Sequence, residues 1–370
     1  MQFEEMFSKG GSPITTIQKN TIVSEPNKQL SEDDQELLKL LEQTAPKITV
    51  IGTGGSGCNT ITRIQEIGII GTKIIAMNTD AQHLLNTNAN KKLVLGRKRT
   101  RGMGAGSNPE IGEASAQESA EEIKATVTNT DLVFVTCGMG GGTGTGSAHV
   151  IAKAAKESGA LVVAIVTAPF TSEGVKRAHN AKTGIEKLKR EADTTIVIPN
   201  EKLLYYVPDL PLNAAFKAAD TVLANAVKGI AELITKPGLV NLDFADIRTI
   251  LQESGQAMIG LGEIEETNKT DRVTKAAENA LSSPFLDVDV SSANKALVNI
   301  TGGSDMTLGE AEAAVSLIAN KISKEAHIIW GAAIDENLQN RGVRVLAVLS
   351  GIKDLPDDSQ KEENLDLEFI

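Results

Sequence analysis

Cys137-Gly138-Met139-Gly140-Gly141-Gly142-Thr143-Gly144-Thr145-Gly146-Ser147 is the stretch whose reading decides the fold. The run 131–136 leads into it as a predicted strand, and 148–156 leads out with a helical pattern. Six glycines fall within nine residues. Lacking Cβ, they let the backbone approach a ligand closely and adopt positive φ. Their N–H groups, with a helix start behind them, suit an anion. A phosphate chain is the natural guest, with Thr143 and Thr145 adding hydroxyl donors. A flexible linker would also be glycine-rich, but linkers do not sit between a buried strand and an amphipathic helix.

A second glycine loop stands upstream. Residues 48–51 read as a short buried strand, followed by Gly52-Thr53-Gly54-Gly55-Ser56-Gly57, then Cys58-Asn59 and a helical run to Gly68. A strand at 73–77 ends in Asn78-Thr79-Asp80. Asp80 lies about 20 residues past the glycines, where a dinucleotide-binding fold carries its ribose acid. Alone, these residues favour a nicotinamide-dependent oxidoreductase. Two glycine loops speak against it, because a dinucleotide needs one pyrophosphate cradle, and no hydride-transfer acid stands out.

Strands and helices alternate from 48 to 199, with further strands at 92–95, 161–166 and 195–198. The strands are short, apolar and β-branched, as in a parallel sheet covered on both faces. The loops leave the strands' C-terminal ends, where such folds form one ligand crevice. Between 96 and 106 a glycine-studded loop carries Arg97, Lys98, Arg99 and Arg101, read as a lid near phosphates or an interface loop. Asn108-Pro109-Glu110 opens a helix running to about 126. Glu173 sits where the chain re-enters helix and Arg177 follows one turn later. A carboxylate there can accept from ribose hydroxyls or complement the helix dipole.

Residues 211–234 keep a period near 3.6 through Leu212, Phe216, Ala219, Leu223, Ile230 and Ile234, predicting one long helix. Phe216 and Asp220 share a face of it. An aromatic ring beside a carboxylate suits guanine, through stacking and acceptance from N1–H and the 2-amino group. A core Phe with a surface Asp is the structural alternative. Asn241-Leu242-Asp243-Phe244-Ala245-Asp246 then opens another helix, where its acids either cap the helix or polarise a water. From 255 the pattern changes, with strands at 257–261, 298–301, 326–334 and 343–349 and helices at 271–281 and 307–322. A second α/β domain on a mixed sheet follows.

The chain of 370 residues carries a net charge of −11, which opposes nonspecific nucleic-acid binding. Two cysteines cannot frame a disulfide fold, and four scattered histidines show no metal-ligand spacing. No apolar run reaches a membrane span and no signal-peptide core is visible, so a cytoplasmic protein is expected.

Taken together, the motifs resemble the tubulin/FtsZ GTPases, and FtsZ most of all, from about 47 to 351. They are 52–59, 78–82, 100–106, 140–146, 169–174 and 241–246. The resemblance implies a Rossmann-like parallel-sheet GTPase domain joined by a long central helix to a second α/β domain with a mixed sheet. The expected divisions are an N-terminal extension with a short helix (1–46), a GTP-binding domain (47–210), the central helix (211–234), a C-terminal domain (235–351) with its catalytic loop at 235–246, and an acidic tail (352–370). It further implies GTP/GDP held by Gly54, Gly55, Ser56, Gly57, Cys58 and Asn59, and by Gly141, Gly142, Thr143, Gly144, Thr145 and Gly146. Asn59 would also reach the base. Glu173 and Arg177 would meet the ribose and nearby phosphates, Phe216 would stack on guanine, and Asp220 would read its edge. Asn78 and Asp80 would lie near Mg²⁺, itself carried mainly by the GTP phosphates.

By the same resemblance, subunits stack head to tail. Asn241, Asp243 and Asp246 of one subunit complete the site of the next, in filaments of a midcell division ring. Membrane anchors and regulators would bind the tail, with no nucleic acid and no direct membrane insertion. Ser56 and Cys58 stand where the family usually has glycine, and 365–370 lacks the proline of the usual tail peptide.

Overall fold

The computed structural model describes residues 45–205, 212–236, 238–265, 271–286, 288–335, 338 and 342–352. The expected helix after residue 31 and the acidic tail lie outside these residues.

In chain order the elements are β1 (Ile48–Thr53), α1 (Gly54–Ile67), β2 (Thr72–Asn78), α2 (Ala81–Asn86), β3 (Lys91–Val94), α3 (Arg97–Thr100), α4 (Pro109–Glu118), α5 (Ala120–Val127), β4 (Leu132–Gly138), α6 (Thr143–Glu157), β5 (Leu161–Ala168), α7 (Val175–Glu191) and β6 (Thr194–Pro199). They continue with α8 (Leu212–Thr235), α9 (Phe244–Leu251), β7 (Gly255–Ile264), α10 (Arg272–Leu281), β8 (Lys295–Gly302), α11 (Leu308–Ala319), β9 (His327–Ile334) and β10 (Val343–Ser350).

The strands form one ten-stranded sheet, in the order β3-β2-β1-β4-β5-β6-β7-β10-β8-β9. The first six run parallel. Their strands are buried on both sides because helices cover both faces, hence the near-continuous apolar runs. β7 joins β6 in parallel over the short register Thr194↔Gly255 to Ile196↔Ala257. β10 then runs antiparallel to both β7 and β8, and β9 is parallel to β8. The expected second sheet is thus mixed, and it continues the first.

One face of the sheet packs against α1 and α8, through Ile61, Ile64, Phe134, Val163, Val222, Leu223 and Val227. The other packs beneath α4 to α7, through Val133, Val135, Ile151, Ala155, Ile185 and Leu188. The 3.6-residue pattern of α8 predicts one apolar stripe, but burial runs nearly all round it: Ala218, Ala224, Ala226 and Ala231 are as enclosed as Leu223 and Ile230. The alanines let α8 lie close to strands of both halves of the sheet, as expected of a helix surrounded by protein.

Two expectations shift. The predicted helix over 108–126 breaks at Ser119, whose hydroxyl accepts from Gly96 N–H at 3.0 Å. The basic loop is not a free lid. Residues 97–100 form a helical turn, Ala81 N–H donates to Gly102 C=O (2.9 Å), and Gly104 N–H donates to Thr79 C=O (3.2 Å).

The glycine stretches begin helices rather than precede them. α1 starts at Gly54 and α6 at Thr143. Of the glycines in the two motifs only Gly54 and Gly140 have positive φ. Several others are packing requirements. A Cβ on Gly57 would sit 2.7 Å from Thr136 C=O, and one on Gly146 would run into the Pro109 carbonyl of α4. A Cβ on Gly141 would meet nothing within 4 Å.

Gly146→Ala should therefore lower stability by about 1–3 kcal/mol. Gly141→Ala should stay within about 0.5 kcal/mol. Urea midpoints of the two variants, measured with wild type, check the contrast; equal midpoints would contradict the packing role.

Candidate functional site

A cavity of about 370 Å³ opens at the C-terminal ends of β1, β4, β5 and β6. Its lining includes Gly55, Ser56 and Asn59 from α1, Gly141 to Gly144 at the start of α6, Glu173 and Arg177 at the start of α7, and Phe216 and Asp220 on α8. Its size is that of a small-ligand site. Two helix N-termini supply unpaired backbone N–H groups to one place, which suits a phosphate chain.

Helix periodicity decides which residues of each glycine motif face this space. In α1, Gly55, Ser56 and Asn59 line it, whereas Gly57 and Cys58 turn into the core. Burial pushes the Cys58 thiol up to about 11, and that of Cys137 to about 12. Both are inert core thiols. In α6, Gly141, Gly142, Thr143 and Gly144 line the cavity, while Thr145 and Gly146 turn away from it. Thr145 instead accepts from Gly140 N–H at 2.8 Å and so fixes the loop's curvature. Thr143 Oγ1 is 2.6 Å from Thr79 Oγ1, which ties the loop to the end of β2.

At the opposite wall, Phe216 is exposed at the cavity, its ring edge-on to Phe170 with centroids 5.5 Å apart. Asp220 lies one turn on. Burial pushes its carboxyl up to about 7, opposed by hydrogen bonds from Thr60 Oγ1 (3.1 Å) and Ser56. Ser56 thus has a partner in the site. Glu173 Oε1 accepts from Phe170 N–H at 2.9 Å, and its other oxygen pairs with Arg177.

Several expected site residues are not on the cavity wall. Gly54, Gly57, Cys58, Thr145 and Gly146 pack behind it. Asn78 is buried, donating from Nδ2 to Cys58 Sγ at 3.7 Å. Asp80 caps α2 by accepting from His83 N–H at 2.9 Å. Its spacing from the glycines, the signature of a ribose acid, here serves a helix cap. Arg97, Lys98, Arg99 and Arg101 are exposed and do not line the cavity; from that loop only Ala105 and Ser107 do.

Asn241, Asp243 and Asp246 are exposed at the far end of α8. Leu239 N–H donates to Ala332 C=O on β9 (2.7 Å), and Gly238 N–H to Asn241 Oδ1 (2.6 Å). Asp246 accepts from Asp243 N–H at 3.3 Å, so the acids do start a helix. Among the described residues, no group of three His, Cys, Asp or Glu side chains can hold a metal ion, and no helix is long and apolar enough to cross a membrane.

Sequence reasoning passed over His83 and Asn200, both of which line the cavity. His83 Nε2 lies 3.1 Å from Asn59 Oδ1. A single histidine beginning a short helix carries no spacing signal.

Residues 47–208 match the Tubulin/FtsZ family, GTPase domain, and residues 255–353 match the FtsZ family, C-terminal domain. The chain is 53% identical over 345 residues to Cell division protein FtsZ 1 of Methanocaldococcus jannaschii, covering 92% of this chain and 94% of that protein. To Cell division protein FtsZ 1 of Archaeoglobus fulgidus it is 54% identical over 320 residues, covering 86% of each. The fold superposes on the solved empty FtsZ dimer of M. jannaschii with a TM-score of 0.83 at 55% identity, covering 88% of this chain and 93% of that one. A GTPγS-bound protofilament of CetZ2 from Haloferax volcanii shares the fold at a TM-score of 0.73 and 22% identity, covering 86% and 97%.

The raised Asp220 pKa has a consequence for the ligand-free protein. A carboxyl that titrates near pH 7 when folded and near 4 when unfolded stabilises the fold fully only below about pH 4. That contribution is lost as pH rises to about 7, with a slope of at most about 1.4 kcal/mol per pH unit. Asp220→Asn should flatten this part of the stability–pH profile, as read by urea denaturation from pH 4 to 8. An unchanged profile would contradict it.

Proposed function

The chain belongs to the FtsZ family of tubulin-like GTPases, and from that premise we propose that its hydrolytic site is divided between two subunits stacked head to tail. It is a GTP-binding and GTP-hydrolysing protein of the cell-division cytoskeleton. One observation carries the divided site. The nucleotide-sized cavity and the loop of Asn241, Asp243 and Asp246 lie towards opposite ends of α8, a helix of 24 residues. At 1.5 Å per residue, the part of it from Phe216 to its last residue, Thr235, spans about 28 Å. Within one chain, Asp243 and Asp246 do not reach a nucleotide beside Phe216 and Asp220; a neighbour's do.

In this reading Gly55, Gly141, Gly142, Thr143 and Gly144 hold the phosphates through backbone N–H groups and the threonine hydroxyl. Phe216 stacks on the base. Asp220, once ionised, accepts from guanine N1–H and the 2-amino group, a pattern that adenine lacks. Glu173 holds Arg177 beside the ribose and phosphates. Asn241, Asp243 and Asp246 of the adjacent subunit orient the attacking water, and one of the two carboxylates accepts its proton. Phosphoryl transfer needs mainly positioning and charge stabilisation, so a site assembled from two chains is chemically sufficient.

Gly54, Gly57, Cys58, Thr145, Gly146, Asn78 and Asp80 support the wall from behind. Mg²⁺, when bound, would be carried mainly by the nucleotide phosphates and would neutralise their charge. A head-to-tail contact that does not close generates a filament. Anchors and regulators at the division site are assigned to the acidic segment 352–370, and the working divisions remain 47–210, 211–234 and 235–351.

GTP turnover per subunit, measured against protein concentration with Mg²⁺ present, should be near zero when dilute and rise above a threshold. Turnover that is flat down to high dilution would mean each chain carries a complete site. Asp246→Ala should keep GTP binding and lose at least about 100-fold in turnover; binding lost in parallel would contradict the divided site. GTP affinity should rise up to about tenfold per pH unit towards pH 7 and then level, because guanine needs the ionised Asp220. An Asp220→Asn variant with the same pH profile would overturn that role.

A further inference from the structure

We infer that His83 is a positioning residue for guanine selectivity, acting by fixing which end of the Asn59 amide faces the nucleotide. This rests on the reading of the cavity as the GTP site. His83 lies in the first turn of α2. Its backbone N–H donates to Asp80 Oδ1 (2.9 Å) and its carbonyl accepts from Thr87 Oγ1 (3.0 Å), so the residue is held at both ends of its peptide unit. Its Nε2 is 3.1 Å from Asn59 Oδ1. The Cε1–Nδ1 edge of the ring lies over Gly55, where a Cβ would be 3.6 and 3.8 Å from those atoms. The ring therefore borders the space beside the Gly55 backbone where a side chain would begin.

Asn59, His83 and Asp220 line the nucleotide cavity, and the same three line a neighbouring hollow bordered by α1, α2 and α8. They form the partition between the two spaces. Asn59 is exposed on that partition. Its amide has two ends of nearly equal shape and opposite hydrogen-bonding sense. Left alone, it presents donor or acceptor to a ligand by rotating half a turn. An Nε2–H of His83 pins Oδ1 and leaves the NH₂ end as the donor for the cavity. This holds for His83 with its proton on Nε2, as the cation or as the neutral Nε2–H tautomer; in either form Nε2 donates to Oδ1, whereas the Nδ1–H tautomer would hold the opposite end of the amide.

A fixed donor on the same wall as an acceptor carboxylate is a directional pattern. Guanine offers the acceptor O6, whereas adenine presents a donor amino group there. A free-spinning amide would serve both bases. His83 need not touch the nucleotide to impose this choice; it needs only to hold Asn59.

The test uses the full chain at dilution, with dissociation constants for GTP and ATP determined by fluorescence titration. The variants are His83→Ala, His83→Gln, Asn59→Ala and the double variant His83→Ala/Asn59→Ala. His83→Ala should narrow the GTP-over-ATP preference about fivefold, the loss of one hydrogen bond's worth of discrimination. His83→Gln keeps a side-chain N–H for Oδ1 and should stay within about twofold of wild type. In the Asn59→Ala background, His83→Ala should cost less than about twofold, because the group it acts through is gone.

Unchanged selectivity in His83→Ala, an equal loss in both backgrounds, or equal weakening of both nucleotides with a lowered Tm would each overturn the proposal. Asp220→Ala is run in parallel. If it leaves the GTP preference intact, the role of Asp220 as base reader fails independently of His83; if wild type shows no GTP-over-ATP preference, the GTP reading of the cavity itself fails.

Discussion

At the C-terminal edge of the parallel strands, two helix starts approach so closely that no side chain fits between them. A Cβ on Gly54 would lie 2.7 Å from Gly144 N, and one on Gly112 would strike the Gly142 carbonyl. Backbone lies on backbone from α4 through α6 to α1. This contact fixes the curvature of both phosphate loops and brings two sets of unpaired N–H groups to one wall. Thr145 and Thr143 then lock the curve from behind, through Gly140 and Thr79. A single added methyl would separate the helices, and the cavity would lose its floor before losing any residue that touches a ligand.

Against that rigid floor the opposite wall is electrostatically restrained. Asp220, on α8, is enclosed against α1, and among the described residues the hydroxyls of Ser56 and Thr60 offset the cost of its charge. The site holds this carboxylate near the balance between its neutral and ionised forms. A ligand that supplies two further N–H donors to it would complete this hydrogen-bonding set, which is the selectivity proposed for guanine.

The fold was legible because its two strongest signals, apolar β-branched runs and glycines placed directly after them, report on the same crossovers. The ten strands follow from them, and the central helix from its 3.6-residue apolar period. The partition of the glycines was not legible. Gly57 and Gly146 resemble ligand-facing glycines in sequence, yet each faces a neighbouring backbone, and only the helical phase set by Gly54 and Thr143 separates them from Gly55 and Gly142. Asp80 shows how spacing can mislead: its distance from the first glycines fits a ribose acid, while its side chain caps α2. His83 left no trace, since its role depends on Asn59, 24 positions earlier. The period of α8 was read correctly, but a stripe and a fully surrounded helix differ only in the alanines between its large residues.

The placement of α8 also determines how active sites are counted. Each helix carries the proposed base reader, Phe216 and Asp220, towards one end and an acidic loop at the other. With the site divided as proposed, a row of n subunits contains n − 1 complete sites. One terminus shows an open nucleotide cavity and the other a bare acidic loop. The two ends are therefore chemically different objects: one can hold GTP that nothing hydrolyses, and the other carries acids with no nucleotide to act on. A polarity of this kind needs no extra capping protein or marker sequence, because it is already present in the two ends of a single buried helix.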